Sequence, residues 1–175
     1  MLILTAITSL VQHLATLKDS FFRYRPDKCP LCGKSGLWFH GVYYRKSDRE
    51  NEDLNPIPIP RFLCPHCEHT CSVLPECIPP RRWYLWLAQQ AALQLLLSGQ
   101  SQRAIAATLT LGRRTIGRWW KRFKEQFLQH ESVLRSHYPE LGRTTGMIDF
   151  WTACLEKISL ATAMQLCHIN EVVVP

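Results

Sequence analysis

The chain has 175 residues, 46% hydrophobic and 20% charged, a globular composition that suits one domain or two small ones. Its net charge of +7 is concentrated in residues 81–130, which carry +8, against +1 in residues 1–80 and −2 in residues 131–175; a localised basic segment points to a polyanion, most often nucleic acid. No run reaches the ~18 uninterrupted apolar residues of a membrane span, and the start lacks a basic leader and a cleavage site, so no membrane role is expected.

The 8 cysteines are therefore expected in a reducing, cytoplasmic compartment, where paired cysteines signal metal rather than a disulfide framework.

Thr5, Thr8, Ser9, Gln12 and His13 interrupt the apolar run at the start, against a secretory leader, while Ile3, Ile7, Leu10, Val11, Leu14 and Leu17 fall at helical spacing and predict an amphipathic helix over residues 2–18. Residues 21–80 are Pro-rich and bear the paired cysteines. Within them, residues 37–44 are aromatic and read as a strand, and residues 57–63 read as a second extended piece. Pro56, Pro58 and Pro60 lack the N–H of a ladder hydrogen bond, so this piece is expected at an edge or as an irregular strand. Residues 47–55 read as a solvated loop. Pro79-Pro80 marks a boundary, followed by helices expected over 82–97, 101–109 and 113–130, with breaks at Ser98-Gly99 and Thr110-Leu111-Gly112. A last helix is expected over 147–167. No internal repeat is visible. The division is an N-terminal helix (1–20), a cysteine module (21–80), a basic helical unit (81–130) and a C-terminal helical segment (131–175).

Cys29-Pro30-Leu31-Cys32 and Cys64-Pro65-His66-Cys67 are two C-P-x-C turns. Each two-residue gap lets both thiolates of a tight turn reach one ion, and two such turns complete a tetrahedral S₄ site with Zn–S bonds of about 2.3 Å. One structural Zn²⁺ held by Cys29, Cys32, Cys64 and Cys67 is expected. The intervening layout is that of a zinc ribbon, and a closed S₄ site offers no position for catalytic water. Cys71 and His69 are near enough to compete as ligands. Cys71, Cys77, Cys154 and Cys167 otherwise read as small buried apolar residues.

Residues 101–109 form a short helix with small Ala104, Ala106 and Ala107, then a tight turn and a basic helix. Ile116, Trp119 or Trp120, Phe123 and Phe127 give that helix an apolar stripe; Arg114, Thr115, Arg118, Lys121 and Arg122 face away. This is the anatomy of a helix-turn-helix, whose second helix enters the major groove. Between Ser101 and Lys124 there are 7 Lys/Arg and no acid. Arg103, Arg113, Arg114, Thr115, Arg118, Lys121 and Arg122 are the candidate contacts to double-stranded DNA. Gly117 lowers helix propensity by ~1 kcal/mol, which close approach of a DNA backbone would explain. Trp83, Trp86, Trp119 and Trp120 read as core.

The order C-P-x-C, Gly41-Val42-Tyr43-Tyr44-Arg45, Arg61-Phe62-Leu63-Cys64-Pro65-His66-Cys67, Ser72-Val73-Leu74-Pro75 and a Pro-led helix resembles bacterial zinc-ribbon proteins associated with insertion sequences and described as transposase-like. The run from Ser101 to Ala107 with Arg113-Arg114-Thr115-Ile116-Gly117-Arg118-Trp119 resembles the helix-turn-helix of those proteins. The resemblance spans about residues 25–125 and departs at Thr70-Cys71, where many such ribbons carry Thr-Phe. It implies binding of transposon ends or other DNA. Asp149 and Glu156 lie one heptad apart on the expected last helix and do not make the carboxylate constellation of a DDE transposase, so no catalytic residues and no enzyme activity are expected.

The fold expected is thus mainly α with a small β zinc ribbon followed by a three-helix helix-turn-helix unit. The function expected is sequence-specific duplex DNA binding, alongside a separate transposase or recombinase subunit, with a homodimer left open. A transcription regulator with the same modules, a zinc-ribbon protein-interaction scaffold and a redox enzyme using Cys29/Cys32 are the competing readings, in that order.

Overall fold

Ser9 starts the first helix: its Oγ accepts the Gln12 N–H at 3.2 Å, and Gln12 Oε1 reaches back to the Thr8 N–H at 3.0 Å, a reciprocal cap. The computed structural model describes residues 2–4, 7–46, 56–79 and 84–174. In it, α1 spans Leu10–Ser20 rather than 2–18, and Leu2–Leu4 is a strand, β1. Leu2-Ile3-Leu4 satisfies either periodicity, and pairing decides it: β1 runs parallel to β5 (Val73–Pro75) in the register Leu2↔Val73, Ile3↔Leu74 and Leu4↔Pro75. The buried face of α1 is Leu10, His13 and Thr16, while Val11 of the expected stripe is 69% exposed.

A 3₁₀ turn, Phe21–Tyr24, follows α1 and leads to an antiparallel sheet in the order β2-β3-β4, with β2 at Trp38–Arg45, β3 at Ile57–Leu63 and β4 at Thr70–Cys71. The piece expected at an edge or as an irregular strand is β3, which lies between β2 and β4 in the sheet order yet is edge-like over Pro58–Pro60. Its prolines are tolerated because β4 pairs only with Phe62 and Leu63, leaving the Pro58–Pro60 stretch with β2 alone among the described residues. The Pro58 carbonyl accepts from His13 Nε2 at 3.0 Å, so at this alternation the backbone turns away from β2 and no ladder bond is lost. The register slips between Phe39 and Val42, a bulge served by Gly41 at φ 89°. The expected loop at 47–55 lies outside the described residues, as do residues 80–83, including Arg82 and Trp83.

The chain divides into two units, Met1–Leu85 and Trp86–Pro175. The core of the first has two clusters. One holds Ile7, Tyr24, Cys29, Leu37, Phe62, Cys64 and Val73; the other holds Leu10, Ile57, Ile59, Leu74 and Ile78.

The second unit is helical. Helix α2 (Trp86–Leu97) starts at Trp86, since Tyr84 and Leu85 are not helical. It ends at Gly99, φ 85°, where Gly99 N–H and Gln100 N–H reach back to the carbonyls of Leu96 and Leu95. Helix α3 (Gln102–Thr108) is capped by Ser101, whose Oγ accepts from Ala104 N–H at 3.2 Å. Helix α4 spans Arg113–Glu125 and does not run to 130: Gln126 (φ −98°, ψ 5°) breaks it, and α5 (Phe127–His137) begins anew. The helix expected over 147–167 is likewise two helices, α6 (Gly146–Lys157) and α7 (Leu160–Ile169). Ile158 is extended there, and Ser159 caps α7 by accepting the Thr162 N–H at 3.1 Å. Ile105, Ile116, Trp119, Phe123, Leu134, Phe150, Trp151, Leu160 and Met164 fill the core of this unit. Among the described residues there are thus seven α-helices and a small antiparallel three-stranded sheet, and no helix is long and apolar enough to cross a membrane.

Candidate metal centre and basic helical surface

The two cysteine pairs sit on one repeated turn. In the first, Cys29 N–H donates to the Lys34 carbonyl at 2.7 Å and Gly33 N–H donates to the Cys29 carbonyl at 2.9 Å. In the second, Cys64 N–H donates to the His69 carbonyl at 3.0 Å and Glu68 N–H to the Cys64 carbonyl at 2.9 Å. The proline after each first cysteine presets the turn. The residue after each second cysteine is left-handed: Gly33 at φ 72° and Glu68 at φ 58°. Glycine takes that conformation freely, whereas for an L side chain it costs roughly 1–2 kcal/mol. The sequence shows the shared C-P-x-C and hides this shared backbone, because Glu68 is not a turn signal.

The turns bring the four sulfurs together. Cys29 Sγ and Cys67 Sγ are 3.7 Å apart, Cys32 Sγ and Cys64 Sγ are 3.6 Å apart, and all four lie within 4.8 Å of one another. These are not disulfides, whose sulfurs sit at ~2.05 Å; all eight cysteines are free. Tetrahedral thiolates bound at 2.3 Å would stand ~3.8 Å apart along each edge, so the donor set fits one four-coordinate ion such as zinc. Cys29 and Cys64 are buried in the core and Cys32 is exposed, which places the centre at the rim of the hydrophobic cluster. The backbone N–H groups of Cys32 and Leu31 hold the Cys29 thiol down to about 6. Cys67 accepts from the His69 N–H, yet burial and its neighbours Cys29, Cys32 and Cys64 push it up to about 12. A bound cation would take its ligands as thiolates, so loading the site would release protons.

The other candidate ligands stay outside. His69 Nδ1 is bound to the Cys67 carbonyl at 2.8 Å, and Cys71 packs on the apolar cluster with its thiol pushed up by burial. Cys77, Cys154 and Cys167 are pushed up to about 12, each chiefly by burial, and are inert small core residues.

Sequence reasoning missed a buried polar link beside this centre. His13 is fully buried; its Nε2–H donates to the Pro58 carbonyl, which leaves Nδ1 to accept from the Tyr24 hydroxyl. It ties α1, the 3₁₀ turn and β3 together. Burial lowers the His13 pKa and raises that of Tyr24, so both stay neutral. A histidine in the core-facing register of α1 was the available signal.

On α4 the residues sort by face. Ile116, Trp119 and Phe123 are buried, and Arg114, Arg118, Lys121 and Glu125 stand opposite them in the open. Arg113 on α4 and Arg103 on α3 are also exposed, while Thr115 and Arg122 are half-buried flanks. Trp120 is half-buried beneath Lys124 Nζ, 5.9 Å from its ring centre, so Trp119 is the core member of the pair, and Phe127 belongs to α5. Arg118 donates to Thr115 Oγ1 at 3.3 Å, and Lys121 pairs with Glu125 at 3.6 Å. Among the described residues none of Arg103, Arg113, Arg114 and Arg118 is paired with a carboxylate. At Gly117 a Cβ would meet the end of the Gln102 side chain, Oε1 at 3.0 Å, so Gly117 leaves room for that side chain of α3. The turn between these helices runs through Thr110 at φ 51° and the buried Leu111.

The family model described as "Domain of unknown function (DUF6431)" matches residues 29–119, just over half of the chain. The chain belongs to this DUF6431 family. The DUF6431 match opens on Cys29 and closes on Trp119, so it holds all four clustered thiols, the antiparallel sheet, α2, α3 and the first two turns of α4. Lys121 and Arg122 lie past its end. No curated protein and no solved structure matches the chain.

Proposed function

We propose that this chain binds double-stranded DNA sequence-specifically, through a helix-turn-helix formed by α3 and α4, and that its cysteine module is a zinc ribbon with an architectural role. The observation that carries the reading is the two-faced pattern of α4. Arg114, Arg118 and Lys121 line up opposite Ile116, Trp119 and Phe123, so the buried face fixes which cations point outward. The first turn of α4 adds support. Gly112 offers no side-chain cap, and the turn holds Arg113 and Arg114 without an acid. Cations at a helix N-terminus oppose the macrodipole; stability would not choose them, and a phosphate backbone would relieve both them and the free N–H groups. The Lys121–Glu125 pair is exposed and weakly held, so Lys121 can exchange it for a phosphate.

Zinc fits the four-thiol geometry and would join the two turns to the core. The S₄ set leaves no open position, so the metal supports the fold rather than performing chemistry. Asp149 and Glu156 stand on the solvent face of α6, with Asp149 accepting from Thr145 Oγ1 at 3.1 Å, as ordinary helix-surface acids do. The resemblance to insertion-sequence proteins supports transposon ends as the target class and a separate transposase or recombinase subunit as a partner. Selection of bound duplexes from a randomised pool by the purified protein tests the reading: a recurring motif is expected, and a pool that stays random after repeated rounds contradicts it.

A further inference from the structure

We propose that the first unit carries a second nucleic-acid surface, an aromatic strip that stacks the bases of single-stranded DNA. Pro58, Pro60 and Phe62 alternate along β3 and share one face, so their cross-strand partners Tyr44, Val42 and Phe39 share it too. Phe21 extends the row: its ring lies 4.3 Å from Phe39 on one side and 4.3 Å from Phe22 on the other. The result is a row from Phe22 through Phe21 to Phe39, with Val42 and Tyr44 further along the same face of β2. Its members are open to solvent, Phe22 at 54%, Phe39 at 42%, Val42 at 44% and Tyr44 at 67%. Phe39 also rests edge-on against the buried Phe62, but the open faces of Phe22, Val42 and Tyr44 leave apolar surface in a row, the kind of surface that marks a binding site.

Charge selects the occupant. The exposed cations Arg23, Arg25, Lys28, Lys34 and Lys46 accompany the strip in the segment from Phe21 to Lys46, against Asp27 as its one acid. Protein-binding surfaces deplete lysine from an apolar patch, whereas exposed aromatic rings in a segment rich in exposed cations have the composition of a single-strand surface: the rings stack on any base and the cations attract the backbone. A duplex keeps its bases stacked inside and cannot use the rings. The strip belongs to a different unit from α4, so the inference stands independently of the duplex-binding reading.

The test uses the full-length, metal-loaded chain and a fluorescein-labelled oligothymidylate, followed by anisotropy, beside a duplex probe. Tyr44→Ala and Phe22→Ala should each weaken oligothymidylate binding by about 5- to 150-fold, the range of one lost base stack, and leave duplex binding unchanged. Tyr44→Phe should bind as the parent does. The triple replacement Arg114→Ala, Arg118→Ala and Lys121→Ala should lose the duplex and keep the oligothymidylate. Unaltered oligothymidylate affinity in both alanine variants overturns the proposal, as does full binding by Tyr44→Leu, which keeps apolar area without a ring. Loss of oligothymidylate only in the triple variant overturns it while leaving the duplex reading intact. Tighter binding of oligouridylate than oligothymidylate overturns the assignment to DNA.

Discussion

Cys64→Ser should abolish metal binding and unfold the first unit. Cys64 Sγ is fully buried, 3.6 Å from Cys32 Sγ, and belongs to the same apolar cluster as Phe62 and Tyr24. A serine oxygen is a poor zinc ligand and leaves a hydroxyl in the core. Structural zinc contributes apparent binding energies of about 10–16 kcal/mol in small modules, against a total of about 5–15 kcal/mol for a typical domain. The two clusters of this unit hold 12 buried residues, two of them the thiols themselves, so the unit has little reserve once the ion is lost. Cys71→Ser is the matched control: Cys71 lies beside the centre and packs on the same cluster but is not among the four, so it should cost ~1–3 kcal/mol through its new hydroxyl and keep one metal per chain. Metal stoichiometry by native mass spectrometry, with thermal unfolding of the same samples, reads both effects. One equivalent of zinc and a parent-like melt in Cys64→Ser would refute the ligand assignment.

Three further outcomes follow from the same geometry. Glu68→Gly should be neutral or stabilising by up to ~1 kcal/mol, while Gly33→Glu should destabilise by roughly 1–2 kcal/mol, because both positions are left-handed; urea midpoints of the metal-loaded protein decide it, and equal losses in both would contradict the shared turn. Burial lowers the pKa values of His13 and His130, so each binds its proton more readily when unfolded; stability is complete above about pH 6.5 and falls as the pH drops below it, by up to ~1.4 kcal/mol per unit per histidine. Unfolding measured from pH 7.5 to 5 should show that slope, and a flat profile would exclude buried neutral histidines. Ile116→Ala should cost about 2–5 kcal/mol by opening a cavity under α4, visible as a lowered melting temperature; an unchanged one would mean that this face is not the packed one.

What could be read from sequence depended on how local the determining signal was. The thiol centre was legible because its ligands come in two self-contained turns whose chemistry lies in four adjacent residues. The α3–α4 pair was legible because Ser101 caps α3 and the stripe Ile116, Trp119, Phe123 has helical period. The strand at Leu2–Leu4 was not, because its partner Val73–Pro75 lies some seventy residues on and three apolar residues fit either period. Gln126 and Ile158 interrupt helices without glycine or proline, so composition gave no warning, although Ser159 with Thr162 held the capping signal for α7. The prolines of β3 correctly signalled a stretch bare on one side, but not that β4 would pair with Phe62 and Leu63 and put β3 in the middle of the sheet order. The neighbour of Gly117, the side chain of Gln102 fifteen residues earlier, was not legible because it comes from another helix.

The central claim rests on α4, and its most direct test is duplex binding by Arg114→Ala and Arg118→Ala, measured across salt concentrations on a selected site and a scrambled one. The two arginines are four apart on the open face, one turn from each other. Each replacement should cost about 1–3 kcal/mol on the selected site and narrow its preference over the scrambled site, whereas Lys121→Ala should weaken both sites alike and reduce the salt slope by about 1. Folded variants of Arg114 and Arg118 that keep parental affinity and specificity would show that α4 does not read DNA.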